Sequence, residues 1–209
     1  MAGRARPRPG IAAIALVAFG LAGAGSAAAA EAAVSGGAYG LSANVNALVA
    51  PVSIGPLPSV SLPAESGGPF SASLLSADVL GLASVGIAEV STQGGSGVGS
   101  AASSASLVDV SVAGLVQASV ARSRCSATGD GTEGSASVVD LVVAGIPIST
   151  VNLGPNTTIV LPVGRVVINE QRRDDATGLT VNAVHVTLNA LAVSGDVVLA
   201  QSRCGVDSA

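Results

Sequence analysis

Short apolar runs alternate with polar positions along the chain, and glycine, serine, proline or asparagine interrupts them about every ten residues. Over residues 41–49 every second side chain is apolar, while Ser42, Asn44 and Asn46 lie between them. A period of two places successive side chains on opposite faces of a strand. The pattern therefore predicts half-buried strands and an all-β fold.

Proline and glycine mark the connections in this pattern. Prolines 51, 56, 58 and 63 remove amide donors, which favours an edge strand or an extended connection over a central strand. The segment 93–100, with the sequence QGGSGVGS, is typical of a flexible loop. We therefore predict a single all-β domain over residues 31–209, with a possible flexible seam at 93–100.

The second half of the chain is rich in valine. Residues 108–120 fit one long strand or a tight pair, and further strands are predicted at 136–144, 159–169, 179–193 and 196–204. Within one of these segments the apolar phase changes by one residue at Ala183, which predicts a β-bulge there. The fold that we expect is an antiparallel β-sandwich of about 8–11 short strands, with a β-solenoid as the alternative.

Residues 1–30 have the pattern of a secretory signal peptide. Three arginines precede an apolar run and then a tract of small residues, and Ala28 and Ala30 fit the cleavage rule for small side chains. We predict a signal helix cleaved after Ala30, with Ala33 as a nearby alternative. The protein is then secreted or associated with the cell envelope, outside the cytoplasmic membrane, with no membrane span after cleavage.

Charge and composition narrow the possible partners. Without residues 1–30 the chain has six arginines and no lysine against thirteen acidic residues, a formal charge of −7. Such a charge repels nucleic acid and anionic lipid. Only Tyr39 and Phe70 remain as aromatic residues, so stacking surfaces for sugars or bases are nearly missing.

The two cysteines predict a disulfide. An exported chain folds where thiols oxidise, and Cys125 and Cys204 end the similar segments ARSRC and AQSRC. If the two strands are neighbours, or are stacked across a sandwich, the two sulfurs can meet.

Candidate catalytic chemistry is sparse. His185 is the only histidine, and no G-x-S-x-G nucleophile motif accompanies it. We interpret His185 as an ordinary exposed or half-buried residue on the polar side of a strand. No catalytic residue, nucleotide-binding motif or cofactor is predicted.

The acidic segment NEQRRDDATG allows a second interpretation. Glu170, Asp174 and Asp175 could hold a calcium ion, but the EF-hand spacing is missing and Arg172 and Arg173 offset the negative charge. A solvated turn that neutralises itself fits these residues better, so no metal site is predicted.

Several segments together resemble the choice-of-anchor P family of secreted actinobacterial proteins. They include YGLSANVNALV, PNTTIVLP, VVINEQ and LTVNAVHVTLNALAVSGDVVLAQSRC, in this order along the chain. The resemblance implies an exported or envelope-associated protein, and it implies no catalytic residues.

These observations favour an exported, non-enzymatic structural or interaction protein of the bacterial cell exterior, with an unknown envelope or extracellular component as its partner. An extracellular carrier of a small apolar ligand is the alternative. Hydrolysis centred on His185 is the third possibility.

Overall fold

The computed structural model of the protein describes residues 33–47, 51–63, 68–79, 83–95, 97, 99–112, 114–150, 153–174, 177–191 and 193–207. The predicted signal peptide at 1–30, with its cleavage site at Ala30, lies outside the described residues.

Thirteen strands make up most of the described chain. They are β1 (Ala33–Ala47), β2 (Pro51–Ser61), β3 (Phe70–Val79), β4 (Ala83–Gly95), β5 (Ser100–Val112), β6 (Val116–Thr128), β7 (Gly131–Val139), β8 (Leu141–Val143), β9 (Ile146–Ile148), β10 (Thr157–Leu161), β11 (Gly164–Asp174), β12 (Gly178–Ala190) and β13 (Val193–Asp207). Sheet I has the strand order β10-β11-β12-β13-β1-β2. Sheet II has the order β3-β4-β5-β6-β8-β9, and β7 also pairs with β6.

The two sheets are antiparallel and enclose a shared core, which confirms the predicted β-sandwich rather than the solenoid. In β5 and β6 almost every second residue is buried, as the alternating sequence predicted. The described strands number thirteen instead of 8–11 because tight turns divide some predicted segments. One such turn, at residues 162–163, separates β10 from β11.

Other sequence predictions can be placed in this fold. The proline-rich strand β2 lies at one edge of sheet I and pairs only with β1, as the prolines predicted. The segment 108–120 forms a tight pair, because β5 and β6 meet at a turn containing Gly114. The ends of the segment 93–100 belong to β4 and β5, which are adjacent strands of sheet II.

The space between the sheets is filled by aliphatic side chains. The largest fully buried ones are leucines and valines, led by Leu107, Leu141 and Leu199. Close packing of such side chains supplies the hydrophobic stabilisation that aromatic residues supply in many other cores.

The repeats ARSRC and AQSRC face each other across the sandwich, one on β6 of sheet II and the other on β13 of sheet I. The Cα atoms of Cys125 and Cys204 are 5.7 Å apart, and the two residues form a disulfide pair. Facing sheets are usually separated by about 10 Å. The sheets can approach so closely here because the other buried residues of the repeats are alanine and serine.

Glycine makes the same close approach possible beside the disulfide. A Cβ atom on Gly134 of β7 would lie 2.5 Å from Val181 Cγ2 and 2.9 Å from Leu179 Cδ2, both on β12 of the facing sheet. Contacts this short force neighbouring atoms to move. The carbonyl oxygen of Gly134 also accepts a hydrogen bond of 2.9 Å from Gln171 Nε2 on β11, which ties the two sheets together.

A change of phase runs across sheet I along one row of residues. On four neighbouring strands two successive residues are buried at this row. The pairs are Gly40 with Leu41, Leu199 with Ala200, Ala183 with Val184, and Ile168 with Asn169. The strand register is the same on both sides of the row. The phase change predicted at Ala183 is therefore confirmed, but the predicted bulge is wrong, because β12 keeps the same register with β11 and with β13 on both sides of Ala183.

Sheet II has the opposite change of phase. At its row, two successive residues of each strand from β3 to β7 lie outside the core, for example Val108 and Asp109 on β5. Asp109 has a left-handed backbone with φ of 51°, and Ser76 on β3 has φ of 53°. We call the two sets of residues the phase rows of sheets I and II.

We expect Gly134→Ala to lower the free energy of unfolding by about 1–3 kcal/mol, because the methyl group enters space that Val181 and Leu179 occupy. Denaturant-induced unfolding of the oxidised protein measures the change. Gly129→Ala is the matched control, since a Cβ on Gly129 meets no atom within 4 Å. Equal stability of the two variants would contradict a role for Gly134 in the close approach of the sheets.

Candidate functional site

The outer face of sheet I carries a row of polar side chains, which we call the polar row. The strand register places Glu170 on β11, Asn182 on β12, Gln201 on β13 and Tyr39 on β1 side by side. Adjacent strands are about 4.8 Å apart, so the row extends over roughly 14 Å. It lies directly beside the phase row of sheet I.

Hydrogen bonds join the members of the polar row from one strand to the next. Gln201 Nε2 donates to Tyr39 Oη at 2.9 Å and to Asn182 Oδ1 at 2.8 Å. Asn182 Nδ2 in turn donates to Glu170 Oε2 at 2.7 Å. Asn182 is only 1% exposed, and these contacts satisfy both ends of its amide. The row is therefore held in a fixed arrangement, since each side chain is oriented by its neighbours.

His185 joins the polar row because of the phase change on β12. Ala183 and Val184 both face the core, so His185 is the next outward residue after Asn182, and both side chains reach Glu170. His185 Nδ1 lies 2.9 Å from Glu170 Oε2, and His185 Nε2 lies 3.0 Å from Asp196 Oδ1. Thr187 Oγ1 also donates to Asp196 Oδ1, at 3.0 Å. The protonated imidazolium can donate to both carboxylates at once.

Glu170 is the point where these contacts converge. Arg172 Nη2 donates to Glu170 Oε2 at 2.9 Å, in addition to the donors from Asn182 and His185. Burial acts to raise the pKa of Glu170, but the three hydrogen bonds outweigh it and bring the pKa from 4.5 to about 2. Glu170 is therefore a carboxylate at any pH near neutrality.

The pKa values of His185 and Tyr39 are also raised. The hydrogen bond with Glu170 raises the pKa of His185 above its ordinary 6.5, although burial opposes the change. Burial raises the pKa of Tyr39 above 10. The site thus combines a carboxylate, a histidine that favours its charged form and a neutral phenol.

The hydrogen bonds of His185 determine what chemistry this arrangement can offer. A general base needs a ring nitrogen directed at a nucleophile or a substrate. Both nitrogens of His185 are engaged by carboxylates, and Thr187 donates its hydroxyl hydrogen to Asp196. The two carboxylates also lie on opposite sides of the ring, so their oxygens do not converge on a point where a metal ion could bind. Among the described residues, no group of three or more histidine, cysteine or acidic side chains is placed to hold a metal.

The segment around Glu170 is a strand rather than the predicted turn. Residues 164–174 form β11, and Asp175 lies outside the described residues. Alternation separates the charges: Glu170 and Arg172 join the polar row, while Arg173 Nη1 donates to Thr132 Oγ1 of sheet II at 3.0 Å. Asp174 accepts a hydrogen bond from Thr180 Oγ1. The prediction that these charges neutralise one another is confirmed at Glu170 and Arg172, but the prediction of a turn is wrong for residues 170–174, which pair with β12.

Sequence reasoning identified His185 but not the group around it. The structure places His185 on the outer, polar side of β12, as predicted, and brings it together with Glu170 and Asp196. The predicted pair Cys125 and Cys204 lies between the sheets, away from the polar row. The four members of the polar row, Glu170, Asn182, Gln201 and Tyr39, lie in the segments NEQ, VNAVHV, AQSRC and YGLSANV, which belong to the resemblance described above. Their grouping was not predicted, because alternation along a strand does not reveal which residues of different strands are neighbours.

Comparisons with protein-family models, with curated proteins and with solved structures find no match to this chain. The resemblance to the choice-of-anchor P family therefore stays a prediction. In the described part of the chain, no helix has the length and the apolar character that a membrane span requires.

The pKa values predict a window of maximum stability. Because the pKa of Glu170 is lowered in the folded state, its contribution is complete above 4.5 and is lost as the pH falls towards 2. Because the pKa of His185 is raised, its contribution is complete below 6.5 and is lost as the pH rises through the folded-state pKa. We therefore expect these two groups to stabilise the protein most between pH 4.5 and 6.5.

A proton NMR titration of untagged protein measures this directly, because His185 is the only histidine and its ring signals are unambiguous. The expected pKa of His185 lies above 6.5, and Glu170→Gln should lower it, since the variant removes the carboxylate that stabilises the imidazolium. Glu133→Gln, on sheet II, is the control and should leave the titration unchanged. A wild-type pKa at or below 6.5 would show that the ion pair does not form.

Proposed function

We propose that the protein is an exported, non-enzymatic interaction protein of the bacterial cell exterior and that the polar row is its recognition surface. The observation that carries this proposal is the fixed network on the outer face of sheet I, in which Gln201 and Asn182 connect Tyr39 to Glu170. Preorganised side chains bind a partner without paying the cost of ordering them at that moment.

The chemistry of the surface indicates the kind of partner. Two cationic side chains, Arg172 and protonated His185, balance the carboxylates of Glu170 and Asp196. Arg172 and Asp196 are about half exposed, so donors and acceptors of both kinds face solvent. A polar envelope or extracellular component with little net charge fits such a surface better than a polyanion does.

Export is supported by three features. The first thirty residues have the signal pattern, the two cysteines form a buried pair, and the resemblance to a secreted family is carried by several segments. The strand β1 begins at Ala33, so cleavage after Ala30 would leave the strand whole. The described residues give no specific support to the alternative of a carrier for an apolar ligand.

Intact-mass measurement on the culture medium and on the washed cell envelope tests export. We expect a protein that lacks residues 1–30 and whose mass rises by two hydrogens on reduction, since Cys125 and Cys204 are bonded. An unprocessed chain in the membrane fraction, or two free thiols, would contradict the proposal.

Co-sedimentation of the purified protein with washed envelopes tests recognition. We expect binding by the wild type and roughly tenfold weaker binding by Arg172→Ala, because the variant removes an exposed donor from the polar row. Arg203→Ala is the matched control, since Arg203 is similarly exposed on sheet I but is paired with Asp174, which is not a member of the polar row. Absence of wild-type binding would reject the function, while equal binding by the two variants would reject the polar row as its site.

A further inference from the structure

The outer face of sheet II carries a continuous apolar row. Five side chains, one on each strand from β3 to β7, lie side by side in the register. They are Leu75, Ile87, Val108, Val120 and Val139, and we call them the apolar ridge. Leu75 is 75% exposed, Val139 45% and Ile87 40%. Solvent-facing positions of an antiparallel sheet are normally polar, so an unbroken apolar row marks an interaction surface.

The phase row of sheet II makes these residues project. Each of them adjoins a second residue that also lies outside the core, such as Asp109 next to Val108. A depression of about 480 Å³ lies on one side, beyond the neighbouring row of side chains, and is lined by residues including Ser104 and Arg124. Another of about 530 Å³ lies on the other side, lined by residues including Gln117. The ridge between them spans roughly 19 Å, which is four strand spacings.

The neighbouring row of side chains carries one negative and one positive charge, at equal distances from β5. It consists of Ser73, Glu89, Ser106, Arg122 and Ser137 on successive strands. Glu89 and Arg122 thus lie one strand to either side of β5. Arg122 Nε donates to Ser106 Oγ at 3.2 Å, and neither charged group forms a salt bridge within the described residues.

We propose that the apolar ridge binds a second copy of this chain, related by a two-fold axis that runs parallel to β5 through Val108. This axis places Ile87 of each copy on Val120 of the other, and Leu75 on Val139. The same operation places Glu89 of each copy opposite Arg122 of the other, which forms two equivalent ion pairs. A surface that is complementary to itself in this way is the requirement for a two-fold symmetric dimer.

The lengths of the side chains in the flanking row support a second copy of the chain as the occupant. Across two ridges in contact, the flanking rows are held apart, and only long side chains bridge the gap. Glutamate and arginine are long and the other three members of the flanking row are serines, so the charged pair is the one able to reach. Another acidic protein without an arginine in register would be repelled, because the chain carries an excess of acidic residues.

The same axis brings the two copies of Asp109 close together, since Asp109 follows Val108 on β5. Like charges across an interface weaken it. Asp109→Asn therefore strengthens the dimer by roughly threefold to tenfold, and asparagine tolerates the left-handed backbone at this position.

Sedimentation velocity over a series of concentrations tests the dimer, with protein purified from the cells that express it and the disulfide intact. We expect a dimer with a dissociation constant on the order of micromolar, because a contact limited to the ridge is small. Ile87→Thr weakens it about tenfold by removing apolar contact. Val160→Thr is the matched control, since Val160 is 81% exposed on β10 of sheet I and lies outside the ridge.

Exchanging the charges of Glu89 and Arg122 tests the two-fold symmetry of the dimer. Glu89→Arg and Arg122→Glu each weaken the dimer by about tenfold, because each creates two repulsive pairs, and the double variant restores it to within about threefold of wild type. A monomer at all concentrations overturns the proposal, and so does a dimer that Ile87→Thr leaves unchanged or that the double variant does not restore. Because Arg172 lies on the other sheet, its effect on envelope binding is independent of these results.

Discussion

The hydrogen-bonded register between neighbouring strands is the constraint on which the rest of the structure depends. A strand that changes its inward face alone loses its register or needs an extra residue. Here neighbouring strands change together, at one row in each sheet, and so the pairing resumes in the same register beyond the row. In sheet I the change turns two successive residues inward, and in sheet II it turns two outward. The candidate site lies beside the phase row of sheet I, and the apolar ridge is part of the phase row of sheet II.

Residues with a left-handed backbone conformation show how the strands accommodate the change of phase. In sheet I, Asn169 and Ala200 have φ near 50°, while Ala183 between them does not. Ser76 and Asp109 repeat this spacing in sheet II, with Gly86 between them. Non-glycine residues adopt this conformation at a cost of about 1–3 kcal/mol each, which the surrounding packing must offset. The rows are therefore features of the whole sheet rather than of any one strand.

Small side chains determine how the sheets meet. Ser123 and Ser202 occupy equivalent positions in the two similar segments, and their hydroxyls are buried without a hydrogen-bond partner among the protein atoms described. An unsatisfied hydroxyl is unfavourable, but a larger apolar residue at either position would separate the sheets where Cys125 meets Cys204. The chain-entropy model gives roughly 4.5 kcal/mol for a link across 79 residues, which is a large share of the stability of a domain.

The sequence was sufficient to predict those features that depend on one strand at a time. Alternation identified the sheets, the prolines identified β2 as an edge, and the phase change at Ala183 was visible. The two segments that end in cysteine also indicated the disulfide. The polar row could not be predicted, because Glu170 and Tyr39 become parts of one network only through the pairing of four strands. The assignment of Glu170 to a turn failed for a related reason, since a charged segment resembles a loop until its pairing partner is known.

The prolines of β2 have a consequence for the behaviour of the protein at high concentration. An exposed edge strand of eleven residues would normally offer a template on which further strands can add, and this is how amyloid-like growth begins. Pro51, Pro56 and Pro58 lack the amide hydrogens that such growth requires. This edge of sheet I is therefore a poor template for polymerisation, and copies of the chain can accumulate without being drawn into fibrils through it.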